Sequence, residues 1–332
     1  MVHSDREEFL NALLSMSPDV SADILRDFVT RMDGEYFRRI PVPSIAQHVR
    51  MAAALTPDHL SECAVSELRD GHFELTVVAY DYFAEFATIC GLLSAFGLNI
   101  EEGQIYTFSE AAVSSPPTKS AYGDRPRPRP KLRPGLSRKK IVDVFRVQPV
   151  GNASFTPDDQ VRFAGELRSL IGLLDEGKFE DARHAVNRHL VEHLGKRRGS
   201  FSGLLHPVQI AFDNSQSPTD TIMDIRSDDT PAFLYAFANA LAMRNVYITK
   251  ARIDLEDGKL HDRFAVRNRY GQKLTDPAEQ QQLRLTAVLI KQFTHALTWA
   301  PDPTKALEAF DQFLDLTVQG RRAKLGRKPS RF

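Results

Sequence analysis

The spacing of apolar positions shows one order of elements twice along the chain. In the first copy, ELTVVA at 74–79 is a β-rich run, and ATICGLLSAFG then sets Phe86, Ile89, Leu93 and Phe96 at helical spacing up to Gly97. LNIEEGQIYTF suits a second strand. KIVDVFRV at 140–147 suits a third, with Ile141, Asp143 and Phe145 alternating against Val142, Val144 and Arg146. FTPDDQVRFAGELRSLIGLLDEG opens on Thr156 before Pro157 and two acids, a helix N-cap pattern. Its apolar stripe reads as Val161, Leu167, Leu170 and Leu174.

The second copy begins with TDTIMDIR at 219–226 as a strand, then SDDTP as a capping loop. AFLYAFANALAMRN forms a helix with Phe233, Phe237, Ala240 and Leu241 on one face. VYITKARIDL and LHDRFAV come next as strands around the hairpin dipeptide Asp257-Gly258, and TDPAEQQQLRLTAVLIKQF is a second capped closing helix. Aligning the third strands sets Asp143 over Asp262 and Phe145 over Phe264. Each copy reads β-α-β-β-α, and one more strand would complete a ferredoxin-like unit. LSECAVSELR at 60–69, HPVQIAFDN at 206–214 and a continuation of the third strand through RNRYGQKL are the candidates.

The expected fold is therefore α+β: two ferredoxin-like β-α-β-β-α-β units with additional N-terminal, middle and C-terminal helices. The divisions are 1–58, a helical lead; 59–180, the first unit, with an Arg/Pro-rich insertion at 110–138; and 181–205, a helical linker. The second unit occupies 206–295, and 296–332 is a C-terminal helix and basic tail. In the helix, Leu307, Phe310, Leu314 and Val318 keep helical spacing.

Composition narrows the function classes. Of 332 residues 42% are hydrophobic and 26% charged, with 43 basic and 43 acidic side chains, so no global field draws the chain to nucleic acid or an anionic membrane. Charge is instead local. Residues 119–140 hold nine Lys/Arg against one Asp, and 320–332 hold six with no acid. RPRPRPKLRPG favours an extended, solvated segment, and it lacks the interleaved aromatics of a nucleic-acid platform. Cys63 and Cys90 have no CxxC spacing. The acidic start MVHSDREEF and the absence of an apolar run of about 20 residues predict a cytoplasmic location and no membrane partner.

Catalytic patterns are missing. Gly199-Ser200 is followed by no Asp-x-Asp that would hold metal beside a phosphoryl group, and reads as a basic loop. His261-Asp262 falls in a repeated strand. His189 and His193 lie four apart, with Leu190 where a metalloprotease base would stand. No phosphate-binding glycine loop or nucleophile elbow is present. No catalytic residue, metal site or cofactor is expected.

The repeated pattern resembles the ACT domain, a small regulatory module that binds amino acids in metabolic enzymes. The carrying residues are Asp229-Thr230-Pro231-Ala232 in the second copy, where the family reads Asp-x-Pro-Gly, and FGLNI with the degraded loop Asp81-Tyr82-Phe83-Ala84 in the first. EYFRRIPVPSIAQHVRMAAAL, VDVFRV, FDNSQSPTDTIMDIRSDDTPAFLYAFANALA and GQKLTDPAEQ, in that order, are similar to the paired ACT region of bacterial PII uridylyltransferases and glutamine synthetase adenylyltransferases. The resemblance spans about residues 30–295.

It implies a regulatory protein of nitrogen assimilation that senses an amino acid, glutamine by resemblance, and acts on a nucleotidyltransferase or another nitrogen-regulation partner. The implied ligand residues are Asp229, Thr230, Pro231, Ala232, Phe233, Asn245 and Ile248 in the second copy, and Asp81, Glu85, Asn99 and Ile100 in the first. A helix N-terminus favours the ligand carboxylate there, whereas Glu85 would repel it, so the second copy is the better candidate. The alternatives are a regulatory segment of a split or truncated enzyme of those families and an interaction module that binds no amino acid. Edge-strand pairing leaves a homodimer open.

Overall fold

The computed structural model describes residues 3–109, 138–151, 154–195, 208–228, 230, 232–256, 259–297, 300, 302, 304–309 and 312. Four helices lead: α1 (His3–Met16), α2 (Ala22–Arg31), α3 (Gly34–Arg39) and α4 (Val42–Ala54). The first copy comprises β1 (Ser61–Glu67), β2 (Phe73–Tyr80), α5 (Glu85–Ala95), β3 (Leu98–Thr107), β4 (Lys140–Pro149) and α6 (Pro157–Asp175). After α7 (Phe179–Gly195), the second is β5 (Gln209–Asp213), β6 (Thr221–Asp228), α8 (Phe233–Met243), β7 (Val246–Glu256), β8 (Lys259–Asn268) and α9 (Pro277–Leu297). Residues 304–309 are again helical.

The eight strands form one sheet in the order β1-β2-β4-β3-β7-β8-β6-β5. From either outer strand inward the sequence is the same: the leading strand, the next, the last, then the third. Each copy is therefore β-β-α-β-β-α, its extra strand preceding the repeat instead of closing it as β-α-β-β-α-β requires. In the first copy the chain beyond the closing helix has the period of a helix and not of a strand. After α6, FEDARHAVNRHL repeats apolar residues at helical spacing and buries Ala182, Val186 and Leu190 in α7.

The chain divides into two compact units. One comprises Met1–Cys63, Val77–Asp81 and Tyr106–Val142. Two of its helices, α2 and α3, start on side-chain caps: Ser21 accepts from the Ile24 N–H and Asp33 from the Glu35 N–H. Phe28, Tyr36, Tyr106 and Phe108 meet edge-on or tilted in its core. The Tyr36 hydroxyl lies 2.8 Å from His48 Nδ1, and burial lowers the His48 pKa to about 4, so the imidazole is neutral. Arg31, nearly fully buried, donates to the carbonyls of Ser109 and Arg138 on either side of the Arg/Pro-rich insertion. The insertion from 110 to 137, the loop at 196–207, Asp257-Gly258 and the tail beyond 312 lie outside the described residues.

The other unit comprises Ala64–Thr76, Tyr82–Ile105 and Asp143–Phe332. The aligned third strands occupy equivalent places: Asp143 and Asp262 are each 1% exposed, and Phe145 and Phe264 are fully buried. Between them on α5, burial raises the Cys90 thiol well above its usual pKa, and Asp143 and Asp262 push it the same way. Gly103 is needed where β3 lies close to β7, since a Cβ there would fall 2.9 Å from Ile253 Cγ1 and 3.3 Å from the Phe145 ring.

Thr156 caps α6 as expected, in a reciprocal box with Asp159. The stripe behind that cap differs from its reading. Val161 is 75% exposed, and the buried set is Phe163, Leu167, Leu170, Ile171 and Leu174. Two residues before Phe163 is about 200° around a helix, which puts Val161 on the solvent side.

Candidate functional site

The two strand-to-helix loops begin from the same backbone. Ala84 precedes α5 with φ +62° and Ala232 precedes α8 with φ +57°, both left-handed and both where the resembled family has glycine. The first copy's equivalent of Ala232 is thus Ala84. Both helices end alike, on Gly97 (φ +72°) and Asn245 (φ +56°), the two residue types that tolerate this conformation. The match makes Asn99 the counterpart of Tyr247 and Ile100 that of Ile248.

The first loop is filled by its own side chains. Glu85, 3% exposed, accepts from the Tyr82 N–H at 3.3 Å, taking a backbone donor that a ligand carboxylate would use. The Tyr82 hydroxyl donates to Asp175 at 2.8 Å, and the Phe83 ring packs on Phe179 and Tyr247. Asp81, counted with the other compact unit, is pushed up by burial and drawn down by Lys139, while its N–H donates to the Lys139 carbonyl. Ile100 is buried and Asn99 partly exposed.

The second loop has a polar backing that apolar spacing did not reveal. Lys291 on α9, 1% exposed, donates to the Asp228 carbonyl and, at 3.4 Å, to Ser227 Oγ; its Nζ stands 4.7 Å from the Phe233 ring centroid. Thr294 Oγ1, one turn on, lies 3.2 Å from Thr230 Oγ1. Thr230 and Phe233 are buried, Asn245 is exposed and Ile248 is half-buried. Asp229 and Pro231 lie outside the described residues. The signal that could have found this backing is the register of TAVLIKQFT. Leu283, Ala287, Ile290 and Thr294 form a buried stripe at i, i+4, i+7 and i+11, which brings Lys291 into the core.

The motif FDNSQSPTD has a structural role. Asp220 accepts from Arg267 at 2.6 and 3.1 Å and from Thr249 at 2.8 Å, Thr221 Oγ1 links Asn214 to the Leu274 N–H, and Lys273 donates to the Asn214 carbonyl. Burial pushes Asp220 up, but hydrogen bonds from Arg267, Thr219 and Thr249 outweigh it and hold its pKa at about 2. The knot ties the β5–β6 turn to the GQKL segment before α9. The corresponding corner of the first copy is tied by Glu101 to His72 (3.1 Å) and Arg146 (3.6 Å).

Among the described residues no three His, Cys, Asp or Glu side chains converge on a metal-sized site. Asp262 is buried toward the helices whereas His261 lies in a cleft on the other face of the sheet, so this adjacent pair cannot share an ion. His189 faces Glu166 at 3.6 Å. Burial, with Glu62 as a smaller cause, raises Cys63 to about 12, so neither cysteine is a thiolate nucleophile. Among the described residues no helix is long and apolar enough to cross a membrane.

No protein-family model matches the chain. It is similar to bifunctional uridylyltransferase/uridylyl-removing enzymes. The one from Gluconobacter oxydans is 28% identical over 239 residues, covering 71% of this chain and 20% of that protein. The one from Azospirillum brasilense is 24% identical over 213 residues, 64% of this chain and 19% of that protein. A Bradyrhizobium sp. (strain BTAi1) enzyme matches at 24% over 280 residues, 83% of this chain and 26% of its own length. The chain thus spans about a fifth to a quarter of these relatives.

Proposed function

We propose that the chain is an amino-acid-sensing regulatory module of nitrogen assimilation, built from two ACT-type units at 59–180 and 206–295, with glutamine as its ligand. It works in the cytoplasm with a nucleotidyltransferase of the uridylyltransferase/uridylyl-removing kind, on the same or a separate polypeptide. The observation that carries this reading is the repeated strand–left-handed Ala–helix entry, closed by the chain's own groups in the first copy and backed by Lys291 and Thr294 in the second. A ligand carboxylate at the second entry meets the start of α8 and the nearby Lys291 ammonium, and Asp229 accepts from the amino group. Tyr247, whose counterpart in the first copy is the smaller Asn99, packs on Phe83 and helps to fill the first entry. Regulation results if glutamine prefers one of two arrangements of the protein.

Calorimetry with glutamine against other amino acids tests the reading. Heat with glutamine is expected, reduced at least about tenfold in affinity by Asp229→Ala, which corresponds to one lost charged contact. Lys291→Ile with Thr294→Leu gives the second loop the first loop's backing, Ile171 and Leu174. This double variant is expected to stay folded, since apolar replacement of buried charge is often neutral or stabilising, and to lose the heat. Wild-type protein that gives no heat with any amino acid would leave the interaction module as the better account.

A further inference from the structure

On the second copy's half of the sheet, the face opposite α8 and α9 carries a cavity of about 470 Å³, lined among others by Gln209, Arg226, Arg252, His261 and Arg263. Strand register puts basic side chains opposite each other there. Arg226 on β6 pairs with His261 on β8, and Arg263 on β8 pairs with Arg252 on β7. Like charges directly across a ladder, as at Arg263 and Arg252, repel unless they are answered. Two of the three guanidinium groups are answered internally. Asp224 accepts two hydrogen bonds from Arg263, at 2.7 and 3.2 Å, and Asp254 lies 2.6 Å from Arg252. No carboxylate among the described residues answers Arg226, and Gln209, its partner on β5, adds only an amide.

We propose that this cavity is a binding site for a small phosphate-bearing molecule, held by Arg226 and His261 with Gln209 at its edge. A guanidinium presents paired donors to phosphoryl oxygens, and the neighbouring imidazole offers a further N–H donor across the strand pair. The volume is that of a small-molecule site, too small for a folded partner. The site lies across the sheet from the α8 entry and is independent of amino-acid sensing there.

The test is an NMR titration of the His261 imidazole, assigned by comparison with His261→Gln, using pyrophosphate as the probe and citrate as a carboxylate probe of similar charge. Pyrophosphate is expected to shift the His261 signals, with a dissociation constant below about 1 mM. Arg226→Gln is expected to weaken binding at least tenfold. Without ligand it should melt no lower than wild type, because Arg226 is exposed and makes no ion pair among the described residues. No shift up to about 10 mM pyrophosphate overturns the site. An unchanged titration in Arg226→Gln, or a lower melting temperature of that variant, does so too by making Arg226 a structural residue. Equal response to citrate overturns the phosphate assignment. Loss of glutamine heat in Lys291→Ile/Thr294→Leu bears on the α8 entry alone, so the two readings fail separately.

Discussion

At the first loop, Glu85 holds the Tyr82 N–H, Phe83 packs on Phe179 and Tyr247, and the helix behind presents Ile171 and Leu174. At the second, the same positions along the closing helix are Lys291 and Thr294, and the loop's Thr230 meets Thr294. The backbones agree to within a few degrees in φ, 62° at Ala84 and 57° at Ala232. One backbone therefore carries two kinds of backing: apolar Ile171 and Leu174 on the closing helix of the first copy, and buried, hydrogen-bonded Lys291 and Thr294 on that of the second. The first copy has buried polar groups of its own, Glu85 and Asp143 among them, so what distinguishes the second entry is that its polar groups stand behind the loop on the closing helix.

The largest expected effect separates the copies by their corner knots. Asp220→Ala leaves Arg267 and Thr249 without their shared carboxylate and should cost about 3–5 kcal/mol in urea unfolding. Glu101→Ala at the first copy's corner, where Arg146 is 44% exposed, should cost only about 1 kcal/mol. Equal losses would mean that the copies are held alike, and the comparison would fail.

Acid should part the helical lead from the repeat. His48, neutral at about 4 when folded and near 6.5 when unfolded, is protonated first in the unfolded chain. Its contribution is complete above pH 6.5 and is lost as pH falls toward 4, a drop of about 3 kcal/mol. Asp220, held at about 2 against 3.8, keeps its contribution until the pH falls below 3.8. Hydrogen exchange at pH 4.5 should find amides around Tyr36 and His48 opening while those of β6 and β8 stay protected. His48→Gln should flatten the pH dependence.

Removing Glu85 tests the closed loop more gently. Glu85→Ala leaves the Tyr82 N–H without that acceptor and should destabilise by about 1–2 kcal/mol by thermal melting, without adding a second site in calorimetry. The smallest effect is the most symmetrical. Ala84→Gly and Ala232→Gly each relieve a left-handed alanine and should raise stability by about 0.5–1 kcal/mol. A gain at one position only would show that the loops are not equivalent in backbone.

Much of this was legible in the sequence because it is local. Apolar spacing and caps placed the helices, Thr156 before Pro157 marked the α6 start, and the alignment of Asp143 with Asp262 located two equivalent buried carboxylates. The doubling itself was visible as pattern. Similarity to uridylyltransferase/uridylyl-removing enzymes fits the families that the ordered motifs pointed to.

What only the tertiary structure decided is long-range. Spacing assigns a strand but not its neighbour, so the place of β1 and β5 at the two outer edges, and of β3 beside β7 at the centre, had to come from the folded sheet. The same holds for Lys291, which reads as an ordinary surface lysine until the helix is docked on the loop 63 residues before it in the chain. Arg226 and His261 are 35 positions apart in sequence and become neighbours only through strand register. Hydrophobic period fixes which face of an element is inward; register and docking fix which side chains meet there.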